Sequence, residues 1–218
     1  DTYIADPDFV QVPAKAMISS AYLKQRSQLI NLKQASGKAL PGQPDLKIAR
    51  MQSLSPEYPS TSHLSIIDAH GNAVSMTTSI QMAFGSGIMV GGFLLNNQLT
   101  DFSFVPKDGD QKLIANRIQA GKRPRSSMSP TIVLKDGMPV LLIGSPGGSR
   151  IIDFVARVIA YCLEGEEGVA QAIASANIVD MNRRLELEKG GFSEQIIEQL
   201  SAMGHEVAEV DLNSGLHG

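Results

Sequence analysis

The sequence predicts an α+β fold. Two β-hairpin patterns, at 63–80 and 131–144, precede a helix-rich C-terminal third that closes on an alternating strand. No internal repeat divides the chain.

From the N-terminus, residues 14–34 place Met17, Ile18, Ala21, Tyr22 and Leu29 at helical spacing behind Pro13, which predicts a helix. Residues 35–60 hold four prolines and two glycines and read as a linker or exposed loop. An ordinary interdomain connection has this composition, and so does a segment kept accessible for cutting. The character changes at Thr61. HLSIID (63–68) and AVSMTTSI (73–80) alternate as strands around the turn HGN (70–72). A glycine-rich stretch, FGSGIMVGGFLL (84–95), and a polar block, NNQLTDF (96–102), follow. TIVLK (131–135) and MPVLLIG (138–144) flank Asp136-Gly137, the strongest hairpin signal in the chain. SPGGS (145–149) leads into IIDFVARVIAYC (151–162), where Ile151, Val155, Val158 and Cys162 share one helical face. Further helices are expected at 168–176 and from a Ser193 cap to Gly204, before a strand at 206–212.

With 218 residues, 43% apolar and 19% charged, the chain can bury a core and is one large domain or a piece of a bigger protein. The net charge of −3 gives no overall attraction to nucleic acid or membrane. No apolar run approaches the roughly 18 residues of a spanning helix. The opening DTYIADPDF lacks a basic segment followed by an apolar stretch, so no signal peptide is expected in it. Cys162 is alone, which excludes an internal disulfide and a Cys-based zinc cluster. Charge is uneven: residues 153–218 carry 4 basic and 12 acidic groups, net −8. Arg117, Lys122, Arg123 and Arg125 form a local basic cluster, which reads either as a solvated loop or as an attractor for an anionic small molecule. Few aromatics lie nearby to stack bases, so no nucleic-acid partner is expected.

His63, His70, His205 and His217 show no i,i+4 pairing and no HExxH, so no metal site and no cofactor are expected. A Ser-His-Asp triad stays open because its members scatter in sequence, although the GxSxG elbow is absent. FGSGIMVGG places its third glycine one position late for a dinucleotide loop. GSPGGSR is either a tight turn or a strand-to-helix turn whose N–H groups hold an anion or an oxyanion. Ser126, Ser127 and Ser129 in RPRSSMSP are either turn residues before Pro130 or hydroxyl donors for a carboxylate. Thr61 opens a strand after an exposed segment. A threonine at a new chain terminus can use its own α-amino group, with a pKa near 8, as the base for its hydroxyl.

Taken in order, TSHLSIIDAHGNAVSMTTSI (61–80), FGSGI, LLNNQLTDF, KRPRSSMSPTIV and GSPGGSRII resemble the γ-glutamyltranspeptidase family of N-terminal-nucleophile hydrolases. DPDFVQVP (6–13) resembles the end of that family's large subunit. The resemblance implies an αββα sandwich, with residues 1–60 as the large-subunit tail and linker and 61–218 as a small-subunit-like catalytic domain. It implies that the precursor cuts itself at Ser60–Thr61 and exposes Thr61 as nucleophile, that Ser79 supports it, and that Gly147 and Gly148 hold the oxyanion. Ser126 and Ser127 then hold the donor's α-carboxylate, and Gln98 and Asp101 its α-amino group. The acceptor is water, an amino acid or a peptide.

Two positions depart from the pattern. Ser79 stands where threonine is usual, and Gln81 where asparagine is usual. The longer Gln81 narrows or re-aims the donor pocket, which keeps a glutaryl or cephalosporin-type acylase as an alternative. An unprocessed module is a second alternative. The resemblance further implies an exported, often periplasmic, enzyme, with a cytoplasmic home still open. It implies that most of a large subunit, the chain's partner, lies outside these 218 residues. A piece of this size is therefore expected to be weakly active or inactive alone.

Overall fold

A computed structural model describes residues 2–44, 60–165, 168–182, 184–212 and 214–218. The chain forms two compact units, Asp1–Pro56 with Gln98–Ser126, and Glu57–Asn97 with Ser127–Gly218.

In the first unit, the helix expected over 14–34 is two short ones, α1 (Ala14–Met17) and α2 (Ser20–Ser27). Ser19 breaks the run. Its hydroxyl donates to the Ala16 carbonyl and accepts from the Tyr22 N–H, so it caps a new helix and does not continue the old one. The apolar spacing also lacks a surface to cover: Ile18 is 73% and Leu29 60% exposed. Helices this short depend on packing, and among the described residues neither fully buries a side chain. Among its described residues, the remainder of the unit is loop and turn, with one short 3-10 turn at Gln98–Asp101, around Ala5, Val10 and Ala115. It is organised by buried polar groups. Asp6 accepts from the Arg123 N–H at 2.9 Å, from Arg123 Nε at 3.0 Å and from Arg123 Nη2 at 2.8 Å, and Nη2 also reaches Asp8 at 2.8 Å. The linker expected over 35–60 falls largely on 45–59, outside the described residues.

In the second unit, β1 (Thr61–Ile67) pairs antiparallel with β2 (Ala73–Ser79), setting Thr61 opposite Ser79 and His63 opposite Thr77. Asp68 closes this hairpin, accepting from the His70 and Asn72 N–H groups at 2.8 and 2.9 Å. A small hairpin, β3 (Met89–Val90) with β4 (Phe93–Leu94), occupies the glycine-rich stretch. β5 (Thr131–Lys135) and β6 (Met138–Ile143) form the Asp-Gly hairpin, with Asp136 and Gly137 both at positive φ as a type I′ turn requires. Ser75 on β2 donates to the Ile143 carbonyl at 3.3 Å, joining the two larger hairpins.

Helix α3 (Ile151–Glu164) buries Ile151, Phe154, Val155 and Val158. With Leu141, Ile143, Ala172, Val179, Leu212 and Leu216 they make the main core. After α4 (Val169–Ala174) comes a three-stranded sheet that the sequence did not announce in full. It holds β7 (Ile178–Asp180) and β8 (Leu185–Glu188), antiparallel to each other, and β9 (Val207–Val210), parallel to β8. Helix α5 (Glu194–Ala202) makes the crossover that a parallel pair needs. It starts on the Ser193 cap and ends at Gly204 in a Schellman arrangement, with the His205 N–H on the Leu200 carbonyl and the Gly204 N–H on that of Ser201. The fold is thus mixed α and β, as expected. Among the described residues, no helix is long and apolar enough to cross a membrane.

Two expectations follow. A Cβ on Gly144 would lie 2.1 Å from a ring carbon of buried His63. Gly144→Ala should therefore destabilise the second unit by about 1–3 kcal/mol, read as a lowered melting temperature. In the first unit, hydrogen bonds from Arg123 hold the Asp6 carboxyl well below the usual carboxylate range. A depressed carboxylate stabilises above its unfolded pKa of about 3.9 and loses that contribution as the pH falls further. Stability should decline below about pH 4, and Asp6→Asn should flatten that acid limb while lowering stability at pH 7.

Candidate active site

The strand register builds the first part of the site. Thr61 begins β1 and Ser79 ends β2, directly opposite each other. The Thr61 hydroxyl donates to the Ser79 hydroxyl at 3.1 Å. Ser79 in turn donates to the Ser60 carbonyl at 3.1 Å and accepts from the Gln81 N–H at 3.0 Å. A hydroxyl has one proton and two lone pairs, so every capacity of Ser79 is used. Gln81 is buried and held at φ +76°, a left-handed conformation rare outside glycine, asparagine and aspartate. That turn aims its N–H back at Ser79. The carbonyl of the bond preceding Thr61 and the hydroxyl of Thr61 thus meet on a single serine.

The second part is the turn after β6. Gly147 has φ +139° and Gly148 +60°, and Gly148–Arg150 forms a short 3-10 turn opening into α3. A Cβ on Gly147 would lie 2.8 Å from the Phe154 ring, so the turn sits directly on the core. Among the described residues, neither the Gly147 nor the Gly148 N–H donates to a backbone carbonyl. Two N–H groups at a helix start suit an anionic oxygen. The base of the turn is strapped by the C-terminal segment. Gly144 and His217 exchange both backbone hydrogen bonds at 3.1 Å, and the fully buried Ser145 hydroxyl donates to the Ser214 carbonyl.

His63 connects the two parts, and its role is not apparent from motif reading. Its Nδ1 lies 2.7 Å from the Thr77 hydroxyl and its Nε2 3.1 Å from the Ser65 hydroxyl, while its ring packs on Gly144. Burial, aided by nearby His217, holds the imidazole below its ordinary value, so it is neutral at pH 7. The available signal was strand alternation, which puts Thr61, His63 and Ser65 on one face.

The remaining candidates divide between the units. Ser127 belongs to the second unit, with Thr61, Ser79, Gln81, Gly147 and Gly148, whereas Gln98, Asp101 and Ser126 belong to the first. Gln98 and Asp101 bound a short 3-10 turn, and Asp101 is buried. Asn116, absent from the sequence-based set, is buried beside it and donates to the Asp101 carbonyl at 2.6 Å. The basic cluster is partly solvated and partly folded into the first unit: the Arg123 side chain is 67% exposed, while two of the other three cations are buried. Lys122 is buried, donating to the Ala115 and Arg117 carbonyls at 2.5 and 3.0 Å, Arg123 is committed to Asp6 and Asp8, and Arg125 is buried. Through these bonds Lys122 and Arg123 hold the loop. Among the described residues, no group of three or more His, Cys, Asp or Glu is placed to hold a metal ion.

Comparison with known proteins places this geometry in a family. The family model described as gamma-glutamyltranspeptidase matches residues 1–218. A glutathione hydrolase proenzyme of Bacillus subtilis subsp. natto is 39% identical over 217 residues, covering 94% of this chain and 35% of that protein. An acylase proenzyme of a Pseudomonas species, strain SE83, is 31% identical, covering 93% of this chain and 34% of that protein. A crystal structure of a Helicobacter pylori γ-glutamyltranspeptidase mutant superposes with a TM-score of 0.65 at 37% identity, covering 71% of this chain and 87% of that one. The chain spans about a third of the length of the curated relatives it matches. On a match over its whole length, the chain belongs to the γ-glutamyltranspeptidase family.

Proposed function

We propose that the protein carrying this chain transfers or hydrolyses a γ-glutamyl group through a Thr61 acyl-enzyme, after cutting itself at Ser60–Thr61. The observation that carries this reading is the hydrogen-bond chain from the Thr61 hydroxyl through Ser79 to the Ser60 carbonyl. Two hydroxyls and one peptide carbonyl in this chain support a reading in which Thr61 attacks and Ser79 polarises that bond.

In the cutting step, the Thr61 oxygen adds to the Ser60 carbonyl carbon. The developing oxyanion is met by the Ser79 hydroxyl. Collapse breaks the C–N bond, and the proton from the hydroxyl ends on the departing Thr61 nitrogen, leaving an ester. The α-amino group is already free in that ester, and water then hydrolyses it, releasing the Ser60 carboxylate and restoring the Thr61 hydroxyl. That amine then serves as the base in turnover, a role closed to an amide nitrogen. Thr61 attacks the donor's γ-carbonyl, Gly147 and Gly148 N–H groups hold the oxyanion, and the leaving amine takes the proton. Water, an amino acid or a peptide accepts the acyl group. Asp101 and Gln98 bind the donor's α-ammonium, and Ser126 and Ser127 its α-carboxylate, with Gln81 shaping the pocket wall.

The same reading takes residues 1–60 as the large-subunit tail and linker and 61–218 as the catalytic domain of an αββα sandwich. Its partner is the large-subunit portion of the same precursor, and its setting is periplasmic or extracellular. The second reading, an acylase for glutaryl or cephalosporin-type side chains, draws on the left-handed Gln81 beside Ser79 and on the likeness to an acylase proenzyme.

Processing tests the carrying observation. In the full-length precursor, Thr61→Ala should abolish cutting and Ser79→Ala should slow it about 100-fold, as loss of one oxyanion donor does. Ser79→Thr, which keeps the hydroxyl, should retain it. Intact mass against time reads all three, and normal cutting by Ser79→Ala would refute the role given to Ser79. Donor choice is tested separately. Asp101→Asn should lower kcat/KM for a γ-glutamyl anilide about 10- to 100-fold, the worth of a charge-assisted hydrogen bond, and spare a glutaryl anilide. A wild-type preference for the glutaryl donor would select the second reading.

A further inference from the structure

We infer that Asn116 is the positioning residue that sets donor selectivity, by fixing the Asp101 turn and the segment leading to Ser126 at one spacing. The inference rests on the reading above, in which those two residues grip the ammonium and the carboxylate of one substrate head.

Asn116 is 1% exposed, and no part of the reaction sequence uses it. Its side chain is nonetheless fully directed. Nδ2 donates to the Asp101 carbonyl at 2.6 Å, and Oδ1 accepts from the Arg125 N–H at 3.0 Å. The two ends of a carboxamide are not interchangeable here. Flipping it would face oxygen with a carbonyl and NH2 with an N–H, so only one orientation satisfies both partners. Its own carbonyl accepts from the Ser103 N–H at 2.9 Å, holding the chain just beyond Asp101. The 122–126 segment is gripped from another side as well, by the Asp6 carboxylate on the Arg123 N–H at 2.9 Å. Both grips lie wholly within the first unit.

The chemistry of the donor makes this spacing matter. The α-ammonium and α-carboxylate of a γ-glutamyl group hang from one carbon, so their partners tolerate little relative movement. A glutaryl group keeps the carboxylate and lacks the ammonium. It engages the Ser126 side and is indifferent to where the Asp101 turn sits. A residue that only stabilised the fold would affect both donors alike. One that sets the Asp101-to-Ser126 spacing affects the γ-glutamyl donor selectively.

The test uses the full-length, self-cut protein and compares γ-glutamyl and glutaryl anilides. Asn116→Asp keeps size and the acceptor for Arg125 but sets an oxygen against the Asp101 carbonyl. Asn116→Ser removes the reach to Asp101 altogether and covers the case in which the charged variant does not fold. Intact mass and melting temperature confirm maturation. Expected for either variant is a fall of 10-fold or more in the γ-glutamyl to glutaryl ratio of kcat/KM, carried mainly by a raised KM for the γ-glutamyl donor. An unchanged ratio, with both donors falling equally or neither falling, overturns the inference. Wild-type and Asp101→Asn proteins run alongside. Should the wild type show no γ-glutamyl preference, or Asp101→Asn leave that preference intact, the donor reading fails and takes this inference with it. Should both controls behave and only the Asn116 variants keep the ratio, this inference alone fails.

Discussion

The second unit turns on the close approach of the His63 ring to Gly144. The ring occupies the space that any side chain at position 144 would need. It is held there by hydroxyls on both nitrogens, one from its own strand and one from the partner strand. Three pieces meet at this point: the hairpin that begins with Thr61, the hairpin that ends at Gly144, and the C-terminal segment paired to Gly144 through His217. Moving the ring shifts a strand two residues from the candidate nucleophile and the base of a turn three residues from Gly147. Close-packed interiors transmit such shifts and do not absorb them.

The first unit follows a different economy. Among its described residues it buries polar side chains alongside apolar ones, including Asp6, Asp101, Ser103, Asn116, Lys122 and Arg125. Buried polar groups are costly unless paired, and the pairings here are specific in direction: carboxylate to guanidinium, ammonium to carbonyls, carboxamide to a carbonyl and an N–H. These pairings narrow the arrangements open to the loop, because losing one leaves a buried charge or amide unmet.

What the sequence made legible follows from these two styles. Both large hairpins, α3, α4, α5 and β9 could be read because alternation, an Asp-Gly turn, apolar stripes and caps are local signals. The helix over 14–34 failed because spacing alone does not supply a surface to pack on, and Ser19 offered the backbone a better use. β7 and β8 escaped notice because they are three and four residues long and β8 carries glutamates, one of them buried on Arg150 at 2.8 Å. In the candidate site, the direct pairing of Thr61 with Ser79 was readable as soon as the hairpin was. His63 and Asn116 were not, since a buried polar residue in a strand or loop has the same letter as an exposed one. Only the partner, distant in sequence, distinguishes them.

The hydrogen-bond inventory of Ser79 also implies a direction in time. A serine has one proton to give, and in the continuous chain it is given to the carbonyl of residue 60. On the proposed mechanism that carbonyl departs with the upstream chain, and the space beside the Thr61 hydroxyl is vacated. A substrate carbonyl approaching the Thr61 hydroxyl earlier would have to displace a covalently tethered rival, whose effective concentration no free metabolite matches. The uncut protein would thus be its own occupant, and premature turnover would be excluded by stoichiometry, with no need for a lid, an inhibitor or a second protein.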